Sequence, residues 1–401
     1  MKTIVLYSAY SNEMSYFDDW VDTFKEHTDY QSECINVFQR KGDLIDTKKK
    51  IQQTELVVLH HSMNGDTLKY LRPFVSALKN RKGKLVSFVG NEINLPTIGM
   101  ASKIKILQKL EPEIIATQLL QEAGNWLYAD CIKSRVISLP HALNPNAFYP
   151  TTDLENRKID IGTRLGRYGV HVGDNDRNNL IQYFHQNSIK WGLSIDLGLD
   201  KKSQKRFNRK EWAQFLNFCK ATMSTEAGSL YLERDDRLVQ NIQKYLKKKS
   251  DKLILPPDET ILRKMYQKIV PSLLRQKFIH LLKKQLIEVG NVDQDADFQE
   301  IYQKFFSQKE RCPVYSKAIS SRHFDAIGTK TLNIMYPGRY NDILKSNEHF
   351  FELKRDHSNI EELLSLINNP TKLNEITGHA WEHIHKNHTH KNRLDTLLSF
   401  L

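Results

Sequence analysis

Short apolar runs separated by longer polar, helix-patterned stretches set the rhythm of the first 150 residues. Ile4–Tyr7, Leu56–Leu59 and Leu85–Val89 are brief and rich in branched residues, and Glu113–Ala116 and Val136–Leu139 are further candidates. Continuous apolar runs of this length suit parallel strands covered on both faces. The segments between them are long enough for crossover helices, so the pattern predicts a Rossmann-like βαβ sheet.

Residues 140–150 break that rhythm. Pro140, Pro145 and Pro150 fall within eleven residues, among Asn144 and Asn146, which marks an extended linker. The β/α pattern then restarts, with a strand at Ile159–Gly162 and helical stretches over Asn178–Gln186 and from Arg209 to about Lys220. From 233 to 312 the apolar positions, among them Leu246, Ile254, Leu262, Leu274 and Leu286, follow mixed three- and four-residue spacing. That spacing predicts a helical insertion, punctuated by Pro256-Pro257 and Pro271. Strand-like Thr331–Met335 resumes the alternation, and residues 372–401 read as terminal helices. The boundaries expected are a domain at 1–150, a second at 151–372 containing the insertion, and a terminal helix within 373–401.

Composition narrows the class. With 40% hydrophobic and 10% aromatic residues over 401 positions, large cores can form, and disorder is excluded for most of the chain. No apolar run approaches the length of a membrane span. The N-terminus turns polar too soon for a secretory leader. The four cysteines, Cys34, Cys131, Cys219 and Cys312, lie far apart without a CxxC pair, which suggests a reducing, cytoplasmic setting. The net charge of +12 is concentrated: residues 237–286 hold thirteen Lys or Arg against three acids. Basic residues alternating with Leu, Ile and Phe there fit a solvated helical face, an anionic membrane surface or a lipid-linked acceptor at the inner membrane face. Nucleic acid is a weaker fit, because no recognised module accompanies the charge.

Candidate chemistry gathers where strands end. Leu59 is followed by His60 and His61, and Val89 by Gly90, Asn91 and Glu92. Open α/β sheets bind ligands outside such ends. Gly162, Arg164 and Arg167 follow the first strand of the second half, where glycine permits close backbone approach and arginine supplies charge for a phosphate. His379 and His383 stand four apart, but without an acidic or cysteine partner no metal site is read there.

Three local patterns resemble one family. The linker 139–150 resembles the interdomain stretch of GT-B glycosyltransferases. Ser321-Arg322-His323-Phe324-Asp325-Ala326-Ile327-Gly328 resembles their R-x-F-E-A-x-G element, and the tail 385–393 resembles the closing H-T-x-x-x-R of the CgeB-like branch. The resemblance implies two Rossmann-like domains facing a cleft, with a C-terminal helix returning to the first. It also implies a nucleotide-diphosphate sugar as donor, no required cofactor or metal, and a glycan or lipid-linked acceptor in bacterial surface glycan assembly. Arg322 and Lys317 would hold the diphosphate beside a helix opened by Ser321, and Asp325 would stand where the family places its ribose-binding glutamate. Lys317 occupies the position of the usual earlier glutamate. Glu226, in a turn resembling P-S-x-x-E-G-x-G, would take that role across the insertion. Should the enzyme invert, His60, His61 and Glu92 are candidate bases. Two other classes stay open: a DNA-modifying glucosyltransferase, and a non-catalytic nucleotide-sugar-binding or scaffold protein on a degenerate GT-B fold.

Overall fold

The computed structural model describes residues 1–9, 15–38, 44–166, 168–199, 207–249, 253–255, 286–288 and 296–401. The first parallel sheet contains β1 (Lys2–Tyr7), β2 (Gln31–Asn36), β3 (Leu56–Leu59), β4 (Lys84–Phe88), β5 (Ile114–Thr117) and β6 (Arg135–Ser138). The chain continues through β7 (Ile159–Gly162), β8 (Ile195–Asp196), β9 (Cys219–Ser224), β10 (Ala227–Gly228), β11 (Leu253–Leu255), β12 (Leu286–Glu288), β13 (Lys317–Ala318), β14 (Leu332–Met335) and β15 (Phe351–Glu352).

Among the described residues the first sheet runs β2-β1-β3-β4-β5-β6 and the second β15-β14-β9-β7-β8. Each sheet therefore places its first strand between its second and third, and each has a topological switch point there: β1/β3 in one, β7/β9 in the other. β3, β5 and β14 are buried along their whole length, as continuous apolar runs require. β2, by contrast, is an edge strand of exposed and half-buried positions with only Ile35 buried, so its sequence QSECIN carries no apolar run to read.

The C-terminal ends of the two sheets face one another, and side chains stitch them together. Asn94, in the loop after β4, donates to the Glu233 carbonyl at 2.8 Å. Asn341, beyond β14, donates to the Gln118 carbonyl beyond β5 at 2.9 Å, and Arg339 pairs with Glu122 at 2.6 Å. On another side Arg209, which opens the helix before β9, pairs with Asp19 at 2.9 Å and Asp22 at 2.7 Å on the Ser15–Glu26 helix after β1. Two Rossmann-like sheets set end to end across a cleft are the GT-B architecture.

The chain's tail closes the arrangement. The Pro370–Asn387 helix packs on the second sheet's helices, and the His390–Leu398 helix returns to the first domain. Leu394 and Leu397 join the core formed by Trp20, Phe24, Tyr30 and Phe88. Linker and tail run together at that crossing. Leu143 N–H donates to the His388 carbonyl, and His390 N–H donates back to the Leu143 carbonyl, each at 3.0 Å. Truncating Leu394 to Ala removes a fully buried side chain from this seam and should cost about 2–5 kcal/mol in chemical denaturation.

The insertion is not wholly helical. The Arg237–Lys249 and Phe298–Phe305 helices pack together through Leu238, Ile242, Leu246 and Ile301. Ile254 and Leu286, read as helical from spacing, lie instead in a parallel ladder, with Leu253 opposite Leu286 and Leu255 opposite Glu288. Pro256-Pro257 accounts for the first strand, since the residue before a proline is driven to extended backbone. Part of the run Glu233-Arg234-Asp235-Asp236 is recruited inward. Asp236 is buried, and its carboxylate accepts from the Met100 and Ala101 amides at 2.8 and 2.9 Å. It thereby caps the Met100–Leu110 helix of the first domain, whose own N-cap position is a glycine. Eight of the insertion's basic residues, from Lys252 to Lys284, lie outside the described residues. No described helix is long and apolar enough to cross a membrane.

Four buried histidines meet at the first switch point. His61 lies 5.0 Å ring to ring from both His60 and His141, and His390 lies 4.7 Å from Trp20. Burial, and then the neighbouring imidazoles, holds His61 well below its ordinary range; burial and the cation of Arg393 bring His141 down to about 4. Between pH 6.5 and about 4 the unfolded chain therefore takes up a proton at His141 that the folded chain refuses. Relative to His141→Gln, the parent should lose up to about 1.4 kcal/mol of stability per pH unit over that window. Urea midpoints of the two proteins, measured across the range, check this.

Candidate active site at the second switch point

β9 ends in Ser224-Thr225-Glu226 and β7 in Gly162-Thr163-Arg164. Glu226 is buried, with both carboxylate oxygens engaged. The Tyr340 N–H donates to Oε1 at 2.7 Å, and the Tyr315 hydroxyl donates to Oε2. Burial raises its affinity for a proton, and the two hydrogen bonds and Lys317 act against that rise. Tyr340, Asn341 and Asp342 all adopt positive φ, a left-handed turn that β-carbons resist. Glu226, together with Asn341 Oδ1 accepting from the Ile319 amide at 2.7 Å, holds the turn in place. Strained backbone of this kind persists where surrounding contacts over-determine it.

Lys317 reaches the same point from 91 positions along the chain. β10 and β13 pair antiparallel, with Gly228 opposite Lys317 and Ala227 opposite Ala318. The insertion thus hangs from a closed neck, and its two ends are neighbours. Gly228 has φ +95°, and a β-carbon there would stand 2.7 Å from the Ser316 carbonyl, so the neck requires glycine. Lys317 is 4% exposed and pairs with Asp174, with Asp176 3.9 Å away. Arg355 also reaches Asp176, at 2.8 Å.

Arg177 completes the cluster. It is buried in the first turn of the Asp176–Trp191 helix, stacks over the Tyr168 ring at 3.7 Å, and donates to the Tyr168 hydroxyl at 2.7 Å and Thr225 Oγ1 at 3.2 Å. Tyr168 in turn donates to the Glu226 carbonyl at 2.9 Å. Outside the ends of β7, β9 and β14, the Glu226 carboxyl is therefore held by Tyr315 and the Tyr340 amide near Lys317, while Arg177 and Tyr168 hold the backbone beside it. Such a set can hold an anion and position hydroxyls beside it. Arg177, Tyr168, Tyr315 and Arg355 escape sequence reasoning, because they come from separate segments, one helix start and three loops, with no shared motif.

The other candidates fall in three places. Arg322 and Ser321 begin the Ser321–Gly328 helix, and Arg322 lines a small crevice with Thr163, Trp212 and Ser224. Asp325 is one turn deeper and 2% exposed, accepting from Trp212 Nε1 at 3.0 Å. Burial first, and then the charge of Asp19 from the first domain, raises its proton affinity well above the carboxylate range, while Arg322 opposes this. Lys330, just past this helix, takes the left-handed conformation with φ +54°. Arg164 is engaged elsewhere. Its guanidinium grips Asp196 through two 2.8 Å bonds and packs on Phe215. A β-carbon on Gly162 would overlap Cys219 and Phe215, so that glycine serves packing. Arg167 lies outside the described residues.

In the first domain His60 and His61 stand at the opposite switch point, after β3, while Glu92 lies farther along the sheet, at the end of β5. His60 Nδ1 accepts from the Ser62 amide at 3.1 Å and caps the following turn, while Ser62 Oγ accepts from the Ser8 amide at 2.8 Å. Glu92 is buried and accepts from Thr117, Tyr128 and the Gln118 amide at 2.6, 2.6 and 2.7 Å. It anchors the loop between β4 and β5.

No family model and no curated protein matches the chain. Among solved structures it is similar to HepE of Anabaena, crystallised with UDP-glucose, at 11% identity, 100% coverage of both chains and a TM-score of 0.46. It is also similar to sucrose-phosphate synthase of Thermosynechococcus elongatus, at 9% identity, 100% of this chain, 98% of that one and a TM-score of 0.47. The lipopolysaccharide outer core galactosyltransferase WaaB, in its apo form, gives 9% identity, 100% coverage of both chains and a TM-score of 0.39.

Replacing Lys317 by Met would leave Asp174 buried without its counter-charge. A loss of about 3–5 kcal/mol is expected, with much of it recovered in the Lys317→Met, Asp174→Asn double variant. Equilibrium denaturation of the four proteins of that cycle checks it.

Proposed function

We propose that this protein is a glycosyltransferase of the GT-B type, moving a hexose from a nucleotide-diphosphate sugar to an acceptor. The carrying observation is the cluster at the second switch point, where Lys317, Arg177 and Glu226 stand together beside the Ser321–Gly328 helix that carries Arg322. Cations beside a helix N-terminus suit a diphosphate. Their number supports transfer without a metal ion, since they supply the positive charge a leaving nucleotide diphosphate needs. Asp325, at the family's glutamate position, takes the ribose-side role in this reading, reached through the Trp212 contact.

Glu226 faces the sugar in this reading and steadies the positive charge that grows at the anomeric carbon as the donor bond breaks. Its hold on the Tyr340 turn keeps it aimed there. The cleft excludes water, which protects the activated donor from hydrolysis. The acceptor lies on the first domain, and retention of configuration is the favoured outcome; an inverting reaction would draw its base from His60, His61 or Glu92. A role in bacterial surface glycan assembly, within the CgeB-like branch, follows from the linker and tail motifs. It puts the protein in the cytoplasm, with the basic insertion 237–286 touching the anionic inner membrane face.

One observation favours a second reading. Lys317, in place of a carboxylate and tied to Asp174, suits a protein that binds nucleotide sugars without turning them over. DNA glucosylation would instead require tight, salt-sensitive duplex binding.

A thermal-shift and calorimetric screen of UDP, GDP, ADP and CMP with their sugars tests the proposal, since a ligand selective for the native state raises stability with concentration. Arg322→Ala should weaken nucleotide-diphosphate binding by about 1–3 kcal/mol, the scale of a charge-assisted hydrogen bond. Glu226→Gln should keep donor binding and lose sugar transfer at least a hundredfold, about 2.7 kcal/mol. Unchanged affinity in a folded Arg322→Ala protein overturns the donor assignment, and binding without any turnover in the parent selects the second reading.

A further inference from the structure

A groove of about 580 Å³ runs between the loop after β4, at Leu95 and Pro96, and one face of the Arg237–Lys249 helix. That volume lies within the range of small-molecule sites, about 300–1,000 Å³. Gln243, Lys244, Lys247 and Lys248 line it, and the spacings of three and four residues between the first two and the last two make them one broad helical face.

Two features mark this face as a site. Gln243 is only 7% exposed, yet among the described residues neither its amide nitrogen nor its amide oxygen has a hydrogen-bond partner. A buried amide left so is costly, and the groove it lines is where its partners can come from. The second feature is charge. Among the described residues, no acidic side chain pairs with Lys244, Lys247 or Lys248, whereas the next lysine, Lys249, is paired with Glu300 at 2.5 Å. The one carboxylate on the groove wall, Asp236, is spent on the Met100 and Ala101 amides and on Asn94.

We propose that this groove binds a phosphorylated saccharide. Three ammonium groups match a phosphate, and an amide that both donates and accepts matches a hydroxyl, which does the same. A flat anionic membrane surface satisfies the lysines but has no means of reaching a nine-tenths-buried amide. The groove is walled by both halves of the molecule, so its occupant bridges the first domain and the insertion. Within the transferase reading, on which this role rests, the occupant is the anionic end of the acceptor; the binding itself stands without that reading.

Calorimetry at one ionic strength tests it, with glucose 6-phosphate, glucose 1-phosphate, glucose, inorganic phosphate, phosphatidylglycerol vesicles and duplex DNA as probes. At least one sugar phosphate should bind tenfold or more tightly than either glucose or inorganic phosphate. Gln243→Met keeps the side-chain volume and removes the unpaired amide, so it should fold with an unchanged or raised melting temperature. It should weaken sugar-phosphate binding about tenfold and leave inorganic phosphate unaffected. Replacing Lys244, Lys247 and Lys248 together by Gln alters only exposed positions and should weaken both at least tenfold. Nucleotide-diphosphate binding should match the parent in both variants, which separates failure here from failure of the donor assignment. No sugar-phosphate binding, or binding indifferent to both variants, overturns the proposal. So does binding of vesicles or DNA that depends on the lysines and not on Gln243, with the sugar phosphates silent.

Discussion

Everything at the second switch point depends on a two-residue ladder. β10 and β13 bring Gly228 opposite Lys317, and by doing so they close a loop of nearly ninety residues, the insertion within it, at its base. Closing so long a loop costs only slightly more entropy than closing a short one, because the cost rises logarithmically with length. A pair of backbone contacts, reinforced by the Lys317–Asp174 ion pair and the Tyr315–Glu226 hydrogen bond, therefore suffices to keep the neck shut. With the neck shut, Glu226 and the helix carrying Arg322 and Asp325 belong to one turn in space. Open it, and the carboxyl, the cation and the left-handed Tyr340 turn would have no common anchor.

The insertion repays that closure by binding the two halves of the molecule. Asp236, just outside the neck, supplies the cap that Gly99 cannot give the Met100–Leu110 helix. Asn94 answers from the other side, accepting from the Glu233 amide at 2.9 Å and donating to its carbonyl. Polar contacts between domains are normally exchangeable with water, which leaves domain motion as the default. Here a buried carboxylate satisfies two helix-terminal amides, and separation would expose the helix dipole along with it. The neck, the cap and the Asn341–Gln118 bond lie along one side of the cleft. Arg209 with Asp19 and Asp22 holds another side, and the Leu143 ladder to His388 and His390 ties the linker to the tail.

The two switch points are built alike and equipped differently. Both sit between a first and a third strand. The first is packed with aromatic rings and neutral imidazoles: Phe17 and Trp20 surround His60 and His61. Burial keeps the imidazoles of His61 and His141 uncharged, so this end presents shape and hydrogen-bonding groups. The second is crowded with ions, Lys317, Arg177 and Arg355 against Asp174, Asp176 and Glu226. One end is lined by uncharged rings and the other by paired ions, a division that follows from what each set of loops buries.

By itself the sequence determined the rhythm. Continuous apolar runs specify β1, β3, β4, β5 and β14, the proline-rich linker specifies the joint between halves, and the motif around Arg322 and Asp325 specifies one helix and its cap. These are local signals, carried by neighbours in the chain. It could not reveal β2 or β15, whose edge positions need no apolar run, nor the β11–β12 ladder, whose apolar residues fit a helical spacing equally well. Tertiary structure alone decided which charges meet. Lys317 finds Asp174 and Asp176 across more than 140 positions, Arg177 finds Thr225, and Asp236 finds the amide ends of a helix in the other domain. It also decided that Arg164 is held by Asp196 while Gln243 is left unpaired over a groove. Ion pairs and orphaned amides are properties of through-space neighbours, and neighbours in space are assigned only when the strands take their order in the sheet.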